Sequence, residues 1–292
     1  MSTLAVDLGG TRMRAALVAD DGTVLRREAR PTPRDDPRPD GLVDLIRTLR
    51  DVGDADRAVV GVPGRVDHLR GALDHAPNLP ASWAPHLSTE ALQEAAGMPV
   101  ALANDADLAA AGEAVHGAGR GFGDVLYVTL STGVGAGVLL GRRLVAGRRS
   151  AAEAGHHVID LQAFRRGEPA TFEELASGTA FARVAREHGL DDAMSVVALA
   201  SEGDARARAV LEQVGLAAAV GVRNLCYLFT PEVVVIGGGL GLSGSWVLEA
   251  IEIHLAAYGP PAWSAEVRPA ALGDDAGLVG ASAWEQVRPA PR

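Results

Sequence analysis

The chain of 292 residues has a single cysteine, Cys226, so it cannot close a disulfide within itself, and it fits a reducing compartment such as the cytosol. Cys226 sits in VRNLCYLF, an apolar stretch that reads as core rather than as the setting of a nucleophile. The opening residues, MSTLAVDLGG, lack the basic segment and apolar core of a secretory signal, and no uninterrupted apolar run reaches membrane-spanning length. A cytoplasmic protein without membrane partners is therefore expected. Basic residues are outnumbered, 27 Lys and Arg against 37 Asp and Glu, and the net charge of −10 argues against broad binding to nucleic acid. It does not argue against a small anion, which a local nest of backbone N–H groups can hold. No Walker A pattern occurs, and Gly237-Gly238-Gly239 lacks the helix, strand and acidic residue of a dinucleotide site. The 35 glycines and 16 prolines are scattered, which implies many turns rather than disorder.

What remains is a pattern of strands and helices in alternation. TLAVDLGGTRMRAALVADDGTVLRRE reads as a buried strand over residues 4–8, a glycine turn, a strand over 14–18, an Asp-Gly turn and a third strand. After a proline-rich loop, Leu42, Leu45, Ile46 and Leu49 recur at i, i+3, i+4 and i+7, the spacing of an amphipathic helix. RAVVGVPGRVD is a strand ending in a glycine loop. Ser88 or Thr89 caps a helix that runs to Ala96 and stops at Gly97. MPVALANDADLAAAGEAV is a strand that breaks into a helix at Asn104-Asp105. Helices around 171–188 and 205–229, the strand of PEVVVIGGGL and a last helix in LVGASAWEQV complete the chain.

Two distant segments resemble each other. Aligned without gaps from Leu4 and Leu126, LAVDLGGTRMRAALV and LYVTLSTGVGAGVLL place Asp7 on Thr129, Gly9-Gly10-Thr11 on Ser131-Thr132-Gly133, and Leu17 on Leu139. Their separation is far above the roughly 20–50 residues of a solenoid repeat, so the expectation is two related α/β lobes.

Three glycine turns follow strands directly: Gly9-Gly10-Thr11-Arg12, Thr132-Gly133-Val134-Gly135 and Gly237-Gly238-Gly239. Lacking a Cβ, such turns let backbone N–H groups close on an anion, and together they fit a nucleotide held between lobes. Asp7 is a carboxylate in an apolar strand and needs a partner. Either it orients a hydrated Mg²⁺ near phosphates, or it pairs with Arg12 or Arg14. Asn104 and Asp105 stand at the C-terminal end of a strand, where α/β sheets place ligands, although either could simply cap the helix. Asp107, off that pattern, reads as solvated or capping. In AEAGHHVID, Glu153, His156 and His157 could hold a metal, do acid–base work or grip a polar substrate; for His157 the default is solvent or core.

Taken in order, DLGGTR, GVPGRVD, APNLPASW, NDADLAAAGEA, TLSTGVGAGVLLG, EAGHH, FEELASG and VVVIGGGL resemble the ROK family of repressors, open reading frames and sugar kinases, within the actin-like ATPase superfamily. The resemblance covers essentially the whole chain. It implies an α/β, two-lobed actin-like ATPase (ribonuclease H-like) fold with mixed sheets and a cleft between lobes. Residues 1–104, joined by a C-terminal helix at 281–292, would form the small lobe and 105–280 the large one. The implied activity is ATP-dependent phosphorylation of a sugar hydroxyl, the 6-hydroxyl of a hexose such as glucose, with Asp105 as general base. Sugar contacts are implied at Gly64, Asn78, Asn104, Asp105, Glu153, His156 and Glu173. ATP and its Mg²⁺ are implied at Asp7, Gly9, Gly10, Thr11, Arg12, Thr132, Gly133, Gly237, Gly238 and Gly239, and a homodimer is the family default. Alternatives are a kinase of specialised metabolism acting on an amino sugar or a cyclitol, and a non-catalytic sugar sensor, against which Asp105 speaks. Polyphosphate also stays open as the donor.

The sequence departs from the family in three places. The family histidine matching His156 binds a structural Zn²⁺ with three cysteines of a C-x-C-G-x-x-G-C-type loop. Here HVIDLQAFRRGEPATFE has no cysteine, and His156, His157 and Glu168 make only a makeshift set, so no structural zinc is expected. Order in this segment would then rest on Val158, Ile159, Leu161, Phe164 and Phe172. Arg12 stands where the family commonly has lysine, and no helix-turn-helix domain is expected ahead of Asp7.

Overall fold

The computed structural model describes residues 2–148, 153–258 and 265–289. The first half contributes strands β1 (Ser2–Leu8), β2 (Arg12–Ala19), β3 (Val24–Pro31), β4 (Ala55–Val62) and β7 (Val100–Asn104), with a separate small hairpin of β5 (Arg65–Asp67) and β6 (Ala72–His75). The second half contributes β8 (Val125–Leu130), β9 (Val134–Leu140), β10 (Arg143–Leu144), β11 (Val233–Gly237) and β12 (Glu266–Pro269). The helices are α1 (Asp40–Arg50), α2 (Thr89–Ala96), α3 (Asp105–Val115), α4 (Leu161–Arg166), α5 (Phe172–Ala176), α6 (Gly178–Glu187), α7 (Val196–Ser201), α8 (Ala205–Phe229), α9 (Gly238–Gly241), α10 (Trp246–Tyr258) and α11 (Ala276–Val287).

Both halves build the same sheet. The first has order β3-β2-β1-β4-β7 and the second β10-β9-β8-β11-β12; in each, three antiparallel strands continue into two parallel ones. The internal similarity is therefore a duplicated topology, with one correction. Leu4 faces Leu17 across the first hairpin, whereas Leu126 faces Val138, not Leu139, across the second. The first turn holds one more residue, Arg12 being the extra one, and a gapless alignment slips at that point.

Alternation along the strands sends residues to two cores. Leu4, Val6 and Val60 face α1, whose Leu42, Leu45, Ile46 and Leu49 are wholly buried, each worth about 1.5–3 kcal/mol of burial. Ala5, Val59 and Ala103 face the other way, toward α3 and α11, which also pack on the second sheet through Tyr127 and Val235. These two helices cross closely because of glycine. A Cβ on Gly280 would collide with the Leu108 carbonyl, and one on Gly112 with that of Ala276. The outer face of the second sheet packs on α5, α6, α8 and α10. Helix α11 begins at Ala276 rather than at 281 and packs on β1, β2 and β4; positions 290–292 of the expected helix lie outside the described residues.

Helix α8 qualifies the reading of apolar runs. By length and composition it could cross a membrane, although charged residues such as Arg208, Glu212 and Arg223 interrupt its sequence. It is the core helix of the second half, burying Val210, Val214, Val222 and Cys226. Burial raises the Cys226 thiol to about 12, as expected of a core cysteine.

Candidate active site

The parallel strands of both sheets end on one cleft of about 910 Å³, large for a single small ligand and ample for two. Asp7 at the end of β1, Gly64 just past β4, and Asn104 and Asp105 at the β7–α3 junction line one side. Thr132 and Gly133 after β8, with Gly238 and Gly239 after β11, line the other. Asn78, Glu153, His156 and Glu173 also reach this space. Gly9, Gly10, Thr11, Arg12 and Gly237 are not among its lining residues. The Gly9–Arg12 turn closes on itself, the Gly9 N–H donating to the Arg12 carbonyl at 3.0 Å, with Thr11 and Arg12 exposed. Gly10 packs on Asn78, which does line the cleft. Gly237 is held against the Tyr127 ring.

Asp105 is the first residue of α3, and its Oδ1 accepts from the Ala106 N–H at 2.8 Å. It keeps contact with solvent through the open cleft while protein closes round it on the remaining sides. Burial, then the charge of Asp7, and more weakly that of Glu153, raise its pKa from the ordinary 3.8 to about 6, against the opposing pull of the Ala106 N–H. Asn104 beside it is buried and committed to structure. Its Oδ1 accepts from the N–H groups of Ala106 and Asp107 at 2.8 and 3.1 Å, and its Nδ2 donates to the Gly64 carbonyl at 2.8 Å. The capping role is therefore the one observed, and with it Asn104 ties the base of α3 to the Gly64 loop. Gly64 has φ +96°, and a Cβ there would run into the His75 carbonyl. Asp107 is buried rather than solvated.

Asp7 pairs with Arg14, not Arg12: Nε and Nη2 donate to Oδ2 at 3.0 and 2.5 Å. Its Oδ1 has no hydrogen bond among the described residues. A carboxylate with one oxygen in use and one available fits a hydrated Mg²⁺ beside phosphates, since Mg²⁺ takes one or two carboxylates and keeps several waters.

Glu153 and His156 share a short 3₁₀ turn, with Oε2 and Nε2 3.3 Å apart. Glu173 accepts from the Val134 N–H at 2.9 Å through Oε2, which locks α5 to the β8–β9 turn. His157 turns inward instead, its Nδ1 meeting the Ala154 carbonyl and its ring packing on Phe172. Glu168 is engaged by Arg166 at 2.7 Å. The makeshift ligands are thus drawn apart, and among the described residues no three His, Cys, Asp or Glu side chains gather as a metal site. The segment that replaces the family's cysteine loop forms α4, capped by Asp160, and a bridge between Val158 and Thr171. Phe172, Ala163 and Ala170 are buried and Ile159 packs on the core, but Val158, Leu161 and Phe164 are exposed. Three of the five residues expected to order this segment therefore lie on the surface; within α4 it is Ala163 that turns inward.

Reading residues in sequence missed several parts of the site. Tyr127 lines the cleft and hydrogen-bonds with Thr129; burial raises its pKa to about 12. Gly273, Asp274 and Gly277 enter because α11 starts earlier than expected. Glu113, wholly buried, accepts from the N–H groups of Ala118, Ala271 and Leu272 at 2.8–3.0 Å, clamping the end of α3 to the approach to α11. Its signal was an acid inside the small-residue helix AAAGEAV.

Known proteins share this arrangement. The chain is 31% identical to the glucokinase of Thermotoga maritima, over 97% of its own length and 96% of the relative's. It is also 31% identical to the N-acetylmannosamine kinase of Citrobacter koseri, over 98% and 99%. The structure matches that of a ROK family glucokinase from Streptomyces griseus in complex with glucose and AMPPNP, with a TM-score of 0.78, 30% identity, and coverage of 97% of this chain and 98% of that one. Both sheets lie within that likeness, and the fold is the actin-like ATPase fold. Since the ROK family model matches residues 3–288, from the first strand to the end of the last helix, the chain belongs to the ROK family.

Proposed function

We propose that the protein is an ATP-dependent sugar kinase, and that Asp105 is the base that receives the proton of the accepting hydroxyl. The carrying observation is Asp105 itself: a carboxylate at a helix start, between the two walls of the cleft, with its pKa raised to about 6. The Thermotoga glucokinase and the Citrobacter N-acetylmannosamine kinase support a hexose or 2-acylamino sugar as acceptor; the hydroxyl we propose as the group phosphorylated is the primary 6-hydroxyl. The hydroxyl oxygen forms a bond to the γ-phosphorus as the bond to the ADP oxygen breaks, and the hydroxyl proton passes to Asp105. A loose phosphoryl-transfer transition state leaves the protein mainly positioning and charge stabilisation to supply. Glu153, His156 and Glu173 supply donors and acceptors for vicinal hydroxyls. Mg²⁺ held near Asp7 would neutralise charge on the phosphates.

Arg65 favours a second reading of the acceptor. Its side chain lines the cleft, its Nε has no hydrogen bond, and its nearest carboxylate, that of Asp74, is 3.9 Å away. A cation held only by a long ion pair with Asp74, next to Gly64 and His75, suits a sugar carrying an additional acceptor, such as an acylamino carbonyl. The test is an ADP-coupled assay over glucose, mannose, N-acetylmannosamine, glucosamine and a cyclitol, with ATP and polyphosphate as donors. Nuclear magnetic resonance of the product then identifies the phosphorylated hydroxyl. No turnover of any of these acceptors with either donor would sink the kinase reading.

A further inference from the structure

At the opposite ends of β4 and β7 from the catalytic cleft lies a second cavity, of about 770 Å³. Along β7 the two spaces have separate linings, Val100, Ala101 and Leu102 facing this cavity and Asn104 the catalytic cleft. One wall is the start of β4, with Arg57, together with the start of β7 and the turn carrying His68. The second sheet's edge strand and the segment just after it supply residues 144–147, and the end of α11 supplies Trp284, with Arg288 just past it. The space therefore touches both sheets and the helix that packs between them.

Two observations make it more than a gap. The first is charge. Among its described lining residues the one carboxylate is Glu285, and that is already paired with Arg288 at 2.9 Å. Arg57 has no ion pair among the described residues, so the uncompensated charge here is positive, on a chain of net charge −10. The second is a group of orphaned polar atoms. Arg57 Nε and His68 Nε2 are shut off from solvent without a hydrogen-bond partner, and so is Oγ1 of Thr3, which faces Arg57 in the β1–β4 register. Folded proteins leave few buried polar groups unpaired, and the two that line the cavity, on Arg57 and His68, call for a partner, with Thr3 beside Arg57 on the neighbouring strand but not on the wall. A water could satisfy one of them but would not balance Arg57, because an unpaired cation in a partly enclosed site needs an opposite charge.

We propose that this cavity is a second ligand site, built for a small oxyanion, a phosphate ester or a carboxylate, that bridges the two sheets through Arg57. An occupant in contact with both sheets binds some of their relative positions better than others, and so couples this site to the catalytic cleft.

The experiment is calorimetric titration of the full chain saturated with Mg·AMPPNP, so that phosphate positions in the catalytic cleft are already filled. Inorganic phosphate is titrated in one arm and citrate in the other, which separates a phosphate from a carboxylate ligand. One of them should bind at one per chain, and Arg57→Gln should weaken that binding tenfold or more, with Arg57→Lys retaining part of it. Binding that Arg57→Gln leaves unchanged, or no binding of either anion, overturns the proposal. Should Arg57→Gln not fold, crystals of the wild-type protein soaked in selenate decide the matter. An anomalous peak beside Arg57 and Arg288 supports the site, and its absence there overturns it.

Discussion

Asp105→Asn separates the proposed proton-accepting role of this residue from its structural one, because the amide oxygen can still accept from the Ala106 N–H while it no longer takes a proton. A positioned base contributes roughly 10²–10⁴ in rate, so kcat should fall by that factor with ATP binding near wild type. Stability should respond with the opposite sign. The folded pKa lies near 6 against an ordinary 3.8, so the folded state holds this proton more tightly than the unfolded chain does. That contribution to stability is fully present below 3.8 and is lost as pH rises through about 6, after which the ionised carboxylate is a burden on the fold. A shift of this size corresponds to about 3 kcal/mol in a sealed site. Solvent reaches Asp105 through the cleft, which reduces the figure to about 1 kcal/mol. Losing a negative charge in the first turn of α3 costs roughly 0.3–1 kcal/mol in the other direction. The variant should therefore be as stable as the wild type, or slightly more so, at pH 8, and relatively less stable at pH 4.5. Thermal melts at both pH values, run beside kcat measurements, read out both effects, and wild-type kcat should rise with pH through a single ionisation near 6. Near wild-type turnover in the variant would refute the assignment of the base. A loss of several kcal/mol at pH 8 would refute the account of a strained carboxylate.

Asp7→Ala should impair the use of Mg·ATP while sugar binding without nucleotide stays near wild type, read by titration at several Mg²⁺ concentrations. Because Asp7 raises the pKa of Asp105, the acid limb of any residual activity should also move to lower pH; an unmoved limb would disconnect the two carboxylates. His156→Ala leaves Glu153 without its neighbour at 3.3 Å and should weaken sugar binding by roughly 1–3 kcal/mol, measured by calorimetry. Glu113→Ala takes the acceptor from three part-buried N–H groups and should cost about 2–4 kcal/mol in denaturant unfolding; a loss under about 1 kcal/mol would mean that α3 and α11 hold together without it. A strong chelator, followed by restored Mg²⁺, should leave activity intact, whereas stoichiometric zinc in the untagged protein would make His156 a metal ligand.

The strands and long helices could be read in the sequence because period and punctuation agreed. Leu42, Leu45, Ile46 and Leu49 mark one helical face, and Ser88 and Gly97 cap α2, Ser88 accepting from the Ala91 N–H and Gly97 taking the left-handed conformation. What sequence could not supply was the choice among partners. Asp7 had two arginines within reach, and strand register chose: Arg14 lies directly opposite it in the β1–β2 hairpin. The early start of α11 escaped because Gly273 and Gly277 weaken the helical pattern where the helix begins. The exposure of Leu161 and Phe164 escaped because apolar character alone does not say which way a short helix faces. The glycine turns were visible as turns, but that Gly9–Arg12 stays off the cleft wall while Thr132 and Gly133 line it depends on how the hairpins are set against each other.

The duplicated sheet also accounts for a cleft whose two ends differ. Asp7 and Thr129 hold equivalent positions, Asp7 opposite Gly61 and Thr129 opposite Gly237 on the neighbouring parallel strands. One copy carries a carboxylate and the other a neutral hydroxyl. Two carboxylates facing a space that receives a polyphosphate would repel it twice, whereas one can hold a cation and is already offset by Arg14. The helices repeat the pattern. Helix α3 follows the last strand of its sheet as α11 follows the last strand of the other; they cross at Gly112 and Gly280, and the start of each reaches the cleft. At α3 that start carries Asp105; at α11 it carries Ala276 and Gly277, with little side chain to obstruct a ligand's approach. On the proposed reading, the proton acceptor belongs to the first start and the bulkier nucleotide to the open second one. The frame is symmetric, and the substitutions at these paired positions make its two ends chemically distinct.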